Sequence, residues 1–93
     1  NISLSGFKEV PKAELVVVKK IVGSYARKFS DQLEEYTELA LHLKFVHQTE
    51  GSEKYEIKAK LVHKGKVENA EMVDRNIFVT VDSVLKKLES AAF

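Results

Sequence analysis

Two stretches of the sequence carry a large apolar side chain at every second residue. They are residues 39–45 and 55–61, and the polar residues 48–53 between them include Gly51 and suit a hairpin loop. Because successive side chains of a β-strand point to opposite faces, a period of two predicts strands with one buried and one solvated face. Such a sheet needs other elements to cover its apolar face, and this requirement limits the folds open to the chain.

A third strand is predicted at residues 67–73, after the shortest plausible turn. Lys64 and Gly65 are the two turn residues, since a glycine between two alternating runs favours a two-residue hairpin. This turn sets a specific register between the two strands. The predicted pairs are Leu61 with Glu68, Ala59 with Ala70 and Ile57 with Met72 on the apolar side, and Lys60 with Asn69 and Lys58 with Glu71 on the polar side.

The stretch after Pro11 has the three- and four-residue apolar spacing of a helix that packs on a sheet. Proline suits the start of a helix, because its missing N–H is not needed in the first turn. We predict a helix from about Lys12 to Phe29 or slightly further, preceded by a short strand in residues 2–7. The apolar stripe consists of Leu15, Val18, Val22, Tyr25, Ala26 and Phe29.

The last part of the chain gives two conflicting signals. By residue preference alone, residues 77–81 favour a strand, since they are mostly β-branched or aromatic. The residues around them favour a helix, because Asn76 is a good helix cap and the apolar residues recur at helical spacing. That stripe consists of Ile77, Val81, Val84, Leu85 and Leu88. We therefore predict a helix from Ile77 to about Ser90.

The predicted order of elements is β-α-β-β-β-α within a single domain, residues 1–93. A chain of 93 residues supports one modest hydrophobic core. Two helices with apolar stripes and a sheet with one apolar face are compatible only if both helices cover that face. The sequence thus predicts an α+β fold, a two-layer sandwich with both helices on one face of a four-stranded sheet.

Patterns typical of catalytic and metal sites are missing from the sequence. It has no cysteine, and the predicted strand pairing separates the three histidines. No serine lies in the context of a catalytic nucleophile, and the four glycines are too scattered to form a phosphate-binding loop. We expect no catalytic residues, no metal and no cofactor, and therefore a protein that is not an enzyme.

The hydropathy of the chain gives no sign of a membrane segment. No apolar run approaches the roughly 20 residues that span a bilayer, and no stretch has the pattern of a secretory signal. We expect a cytoplasmic protein with no membrane partner.

Positive charge is concentrated on the predicted helices and on the outer face of the sheet. The chain has 15 basic and 14 acidic residues, a net charge of +1, so any affinity for nucleic acid depends on how these charges are distributed. A basic helix surface can contact phosphates without reading a base sequence, but the same lysines can also serve only to keep the surface solvated. The residues are Lys12, Lys19, Lys20, Arg27 and Lys28 on or beside the first helix, Lys86 and Lys87 on the second, and Lys44, Lys58 and Lys60 on the sheet.

Residues 76–88, with the sequence NIFVTVDSVLKKL, resemble the final helix of the family of ribosome hibernation promoting factors and ribosome-associated inhibitors. Asp82, Lys87 and Leu88 match the pattern of that helix in register. Residues 2–6 also look like the family's first strand, and the predicted order of elements over the whole chain is the family's order.

This resemblance implies a small protein that binds the small ribosomal subunit in the channel used by messenger and transfer RNA, silencing idle ribosomes. The partner is then ribosomal RNA and not DNA. Family contacts come from basic residues on the helices, which here are Lys19, Lys20, Arg27, Lys28, Lys86 and Lys87. A second class of function stays open, namely a protein-interaction or self-association module on the same fold that uses the exposed sheet face or an edge strand.

Overall fold

A computed structural model of the chain describes residues 1–49 and 52–93. Its elements occur in the predicted order β-α-β-β-β-α and form an α+β sandwich, which confirms the predicted fold class. They are β1 (Ile2–Ser5), α1 (Lys12–Gln32), β2 (Tyr36–Thr49), β3 (Ser52–His63), β4 (Lys66–Asp74) and α2 (Ile77–Ala92).

The four strands form one mixed sheet in the order β1-β2-β3-β4. β1 pairs parallel to β2, and the other two pairings are antiparallel. The parallel pair follows from α1, which carries the chain back along the sheet between the two strands, as a parallel connection requires. β2 and β3 extend into the predicted loop as far as Thr49 and Ser52; the remaining loop residues, Glu50 and Gly51, lie outside the described part of the chain.

The turn between β3 and β4 confirms the predicted register. Lys64 and Gly65 both have positive φ angles, 51° and 72°, as a two-residue hairpin turn of type I′ requires. Every strand pair predicted from this turn is present, including Lys58 opposite Glu71. Glu68 is an acidic residue on the apolar side of this pairing, and its carboxylate lies 3.4 Å from Nε2 of His63.

At Gly6 the backbone of the chain passes very close to β2. Its φ is +81°, and a Cβ atom added there would lie 2.1 Å from the carbonyl oxygen of Leu43. Only glycine allows both this conformation and this approach. The contact directs the chain from β1 over the sheet, where Phe7 and Val10 are buried before α1 begins.

The core lies between the sheet and both helices. The buried residues of α1 are Val18, Val22, Ala26 and Phe29, those of the inner sheet face are Leu39, Leu41, Leu43, Ile57, Ala59 and Leu61, and those of α2 are Ile77, Thr80, Val81, Val84, Leu85 and Leu88. These sets contain the predicted apolar stripe of each helix, except that Leu15 and Tyr25 are only partly buried. Within the described ranges, neither helix has the length and apolarity that crossing a bilayer requires.

Asn76 explains how a segment rich in β-branched residues forms a helix. Its side-chain oxygen accepts hydrogen bonds from the backbone N–H groups of Phe78 (2.9 Å) and Val79 (3.2 Å). In addition, the hydroxyl of Thr80 donates to the carbonyl oxygen of Asn76 at 2.7 Å, which satisfies this buried side chain. The cap and the burial of the apolar stripe together outweigh the weak strand preference of residues 77–81.

Leu43→Ala and Ile57→Ala should each lower the free energy of unfolding by about 2 to 5 kcal/mol, because each leaves a cavity under the helices. Both side chains are buried, with exposed fractions of 2% and 0%. Urea denaturation measures the change. Val67→Ala on the outer sheet face, where the side chain is 53% exposed, is the matched control and should change stability by less than about 0.5 kcal/mol. Losses below about 1 kcal/mol at both buried positions would contradict this assignment of the core.

Asn76→Ala should destabilise the protein by about 1 kcal/mol, since two N–H groups of α2 lose their acceptor. Asn69→Ala, at an exposed position of β4, is the control for removing an asparagine side chain. Equal unfolding midpoints in urea for the two variants would show that the cap does not hold the helix.

Candidate nucleic-acid interface

The two helices lie side by side on the sheet, so their outer surfaces form one side of the molecule. Tyr25 of α1 hydrogen-bonds Asp82 of α2, and the Phe29 ring stacks on Phe93, with ring centroids 6.2 Å apart. The six basic residues predicted to contact RNA all have exposed side chains. They nevertheless fall into three groups with different surroundings.

The first group is Lys19, Lys20 and Arg27 of α1. Lys20 and Arg27 face away from the core, and Lys19 lies on the flank beside β1, where it lines a pocket with Leu4 and Val22. Within the described residues none of the three forms an ion pair or hydrogen bond with another side chain. Lys19 and Arg27 are eight positions apart, about 12 Å along the helix axis. Their charges are therefore free to meet an anionic partner. We call these three residues the α1 cation group.

The second group, Lys28 and Lys86, lies at the seam between the helices, where acidic residues neutralise part of its charge. Lys28 forms an ion pair with Glu89 of α2. The amine of Lys86 lies 3.1 Å from Oδ2 of Asp82, one turn earlier on the same helix. The pair of Lys86 and Asp82 is exposed and contributes about 0 to 1 kcal/mol, so a stronger anionic partner can displace it, whereas the side chain of Glu89 is only 25% exposed.

Lys87 stands apart from the other five residues, on the side of α2 nearest β4. Its amine donates a hydrogen bond of 3.1 Å to the backbone carbonyl oxygen of Glu71 in β4. Because β4 is an edge strand of the sheet, this lysine occupies an acceptor that another chain could otherwise pair with. It therefore protects a sheet edge and is directed away from the α1 cation group.

Burial and the acidic residues at the seam together raise the pKa of Tyr25. Its hydroxyl donates to Oδ1 of Asp82 at 3.0 Å. Burial, this hydrogen bond to Asp82 and the negative charges of Asp82 and Glu89, in decreasing order of importance, raise the pKa of Tyr25 to about 12. Asp82 therefore accepts a hydrogen bond from Tyr25 of α1 through one carboxylate oxygen and pairs with Lys86 of its own helix through the other.

The outer face of the sheet carries more evenly balanced charges. Lys44 lies opposite Glu56 and Lys58 opposite Glu71 in the strand pairing. In addition, the amine of Lys60 lies 3.4 Å from the carboxylate of Glu38. His42 is also on this face, with Nδ1 2.9 Å from the hydroxyl of Ser5. Among the described residues, no group of three histidine and acidic side chains could hold a metal ion.

Gly23 is the residue of this surface that sequence reasoning missed. It lies in the middle of α1, four positions after Lys19 and four before Arg27. A Cβ atom added there would meet no described atom within 4 Å apart from its chain neighbours and the backbone of its own stretch of helix. Glycine inside a helix costs about 0.5 to 1 kcal/mol relative to alanine, so the fold does not explain its presence. The signal in the sequence was the four-residue spacing to a cation on either side.

The fold of this chain is similar to that of known proteins. No protein-family profile matches the chain, and no curated protein matches its sequence. Among solved structures, the N-terminal domain of protein Y from Thermus thermophilus superimposes with a TM-score of 0.62 at 14% identity, over 98% of this chain and 91% of that one. A ribosomal subunit interface protein from Coxiella burnetii gives 0.59 at 17% identity, with the same coverage of both chains. The resemblance predicted for this chain is confirmed, as a resemblance of fold.

The raised pKa of Tyr25 predicts how stability changes with pH. A phenol whose pKa rises from 10.0 in the unfolded chain to about 12 in the fold contributes stability below pH 10, and this stability is lost as the pH rises through 10 to 12. Tyr25→Phe should therefore reduce the loss of stability in that window. Urea denaturation at a series of pH values measures the effect.

Asp82→Asn separates the causes of this shift. In a Tyr36→Phe background, which removes the other phenol whose pKa burial raises, the phenolate absorbance of Tyr25 should appear at a lower pH. It should not return fully to pH 10, because burial is the largest cause and remains. An unchanged absorbance titration would show that Asp82 does not influence Tyr25.

Proposed function

We propose that this protein binds the small ribosomal subunit and inhibits translation without catalysing a reaction. The observation that supports this most is the fold, which the chain shares over 98% of its length with a protein described as a ribosomal subunit interface protein. The α1 cation group would then contact phosphates of ribosomal RNA. By occupying the channel used by messenger and transfer RNA, the protein would silence idle ribosomes in the cytoplasm.

The electrostatics of the chain favour α1 as the principal contact. A net charge of +1 gives little long-range attraction to RNA, so binding has to use a local excess of positive charge. Lys19, Lys20 and Arg27 provide this excess, because no described acidic side chain pairs with them. Contacts with phosphates position a protein on RNA without reading its sequence, which suits a factor that binds one fixed surface.

Lys28 and Lys86 contribute less, since each has to leave an acidic partner first. The ion pair of Lys86 with Asp82 is exposed enough to exchange at small cost, whereas Glu89, the partner of Lys28, is partly buried. Lys87 contributes least, because its amine is already bound to the backbone of β4. The expected contribution to RNA affinity therefore decreases from the α1 cation group to Lys28 and Lys86 and then to Lys87, and binding measurements on variants can test this order.

The alternative function, a protein-interaction or self-association module, has less support from the sheet edges. β1 offers four residues for pairing, and Lys87 occupies a carbonyl group of β4. Short and blocked edges are typical of sheets that avoid pairing with another chain. This alternative is an outcome of the experiment below.

The triple variant K19Q/K20Q/R27Q should lose at least about tenfold in affinity for isolated small ribosomal subunits at low salt. Each phosphate contact removed should flatten the slope of log affinity against log salt concentration by roughly one. Cosedimentation over a salt titration measures both quantities. The Tm should stay nearly unchanged, because all three side chains are exposed.

The variant K44Q/K66Q/R75Q is the matched control. It removes the same number of charges from exposed residues outside the α1 cation group, and none of the three forms an ion pair within the described residues. It should lose little affinity, and K28Q/K86Q should give an intermediate loss. Equal losses of affinity in the triple variant and its control would show that binding depends on the total charge of the protein and not on the α1 cation group. Binding to a second copy of the chain or to ribosomal proteins, with none to RNA, would favour the alternative.

A further inference from the structure

Gly23 occupies a position where the fold itself favours alanine. It lies inside the 21-residue helix α1, and the space where a side chain would project is open. Unlike Gly6 and Gly65, it has no positive φ angle that would call for glycine. Folding therefore does not require glycine at this position, and a partner that contacts this surface of α1 can explain it.

The surroundings of Gly23 indicate what that partner is. Lys19 and Lys20 lie one turn before it and Arg27 one turn after it, and all three are exposed. A helix with side chains has a radius of about 5 to 6 Å, whereas its Cα atoms lie at about 2.3 Å, so a missing side chain leaves a notch roughly 3 Å deep. This notch is flanked by the positive charges of the α1 cation group.

We propose that the notch at Gly23 is where the sugar-phosphate backbone of an RNA strand approaches the protein most closely. The inference rests on the proposed function and adds the point of contact. A phosphodiester strand fits the notch because it is narrow and carries negative charge towards three cations. A packing helix fits less well, because the residues one turn before and one turn after the notch are charged, and the exposed valines of α1, Val16 and Val17, lie six or seven positions before it.

This assignment predicts effects of opposite sign on stability and on binding. Gly23→Ala removes the cost of glycine within a helix and should raise the Tm by about 2 to 6 °C. The added methyl group moves the RNA strand away from all three cations at once. Affinity for protein-free rRNA of the small subunit should fall by about 3- to 10-fold, and Gly23→Leu should cost more than about 10-fold.

The experiment compares Gly23→Ala and Gly23→Leu with Ala91→Leu, which adds bulk at an exposed position near the end of α2. Binding to protein-free rRNA and to intact small subunits is measured at several salt concentrations, and Tm is measured on the same samples. A higher Tm with weaker rRNA binding for Gly23→Ala, and unchanged rRNA binding for Ala91→Leu, would support the proposal.

Several results would overturn it. Unchanged rRNA affinity in both Gly23 variants would show that the notch is unused, while the proposed function would stand if the unsubstituted protein binds. Weaker binding to intact subunits with unchanged binding to rRNA would place a ribosomal protein in the notch. A lower Tm for Gly23→Ala would show that the fold itself needs the glycine. Failure of the unsubstituted protein to bind either target would reject the proposed function as well.

Discussion

The apolar inner face of the sheet has to be covered, and its width determines how. Four strands about 4.8 Å apart form a surface roughly 15 to 19 Å wide, whereas one helix with its side chains is about 10 to 12 Å wide. A single helix would leave part of this face in water, so two are required. Leu39, Ile57 and Leu61 have no exposed surface because α1 and α2 lie next to each other across the sheet. Burial of each such side chain contributes about 1.5 to 3 kcal/mol.

The distribution of charge follows from this arrangement. Where α1 and α2 meet, a lysine on one helix comes within reach of an acidic residue on the other, as Lys28 and Glu89 do. Where α1 faces solvent, no neighbouring element supplies an acidic partner, and Lys19 and Arg27 stay free within the described structure. A chain with almost equal numbers of basic and acidic residues thus acquires one surface with an excess of cations. The packing that buries the core also separates paired from unpaired lysines.

The features that the sequence predicted well are those set by local rules. The register of β3 and β4 follows from the turn at Lys64 and Gly65, and α2 follows from the Asn76 cap and a regular apolar stripe. The extent of β2 was underestimated, because Thr49 lies in a polar segment without alternation. The partner of Lys28 could not be predicted, since Glu89 is 61 positions away and comes near only through the way the two helices pack on the sheet. The ranking of the predicted contact residues therefore required the structure.

A shared fold at low sequence identity does not show that two proteins share the same binding residues. A core tolerates many apolar replacements that keep its pattern and volume, so two chains can share a fold while their exposed residues differ. The position of a binding residue in one chain therefore does not identify a binding residue in the other, and the charges of this chain are the relevant observation. The arrangement of α1 supports such an argument, because helix stability alone would not place a glycine between Lys19 and Arg27. Gly23 lowers the stability of α1 without contributing to the core, and a role in binding explains why such a residue is present.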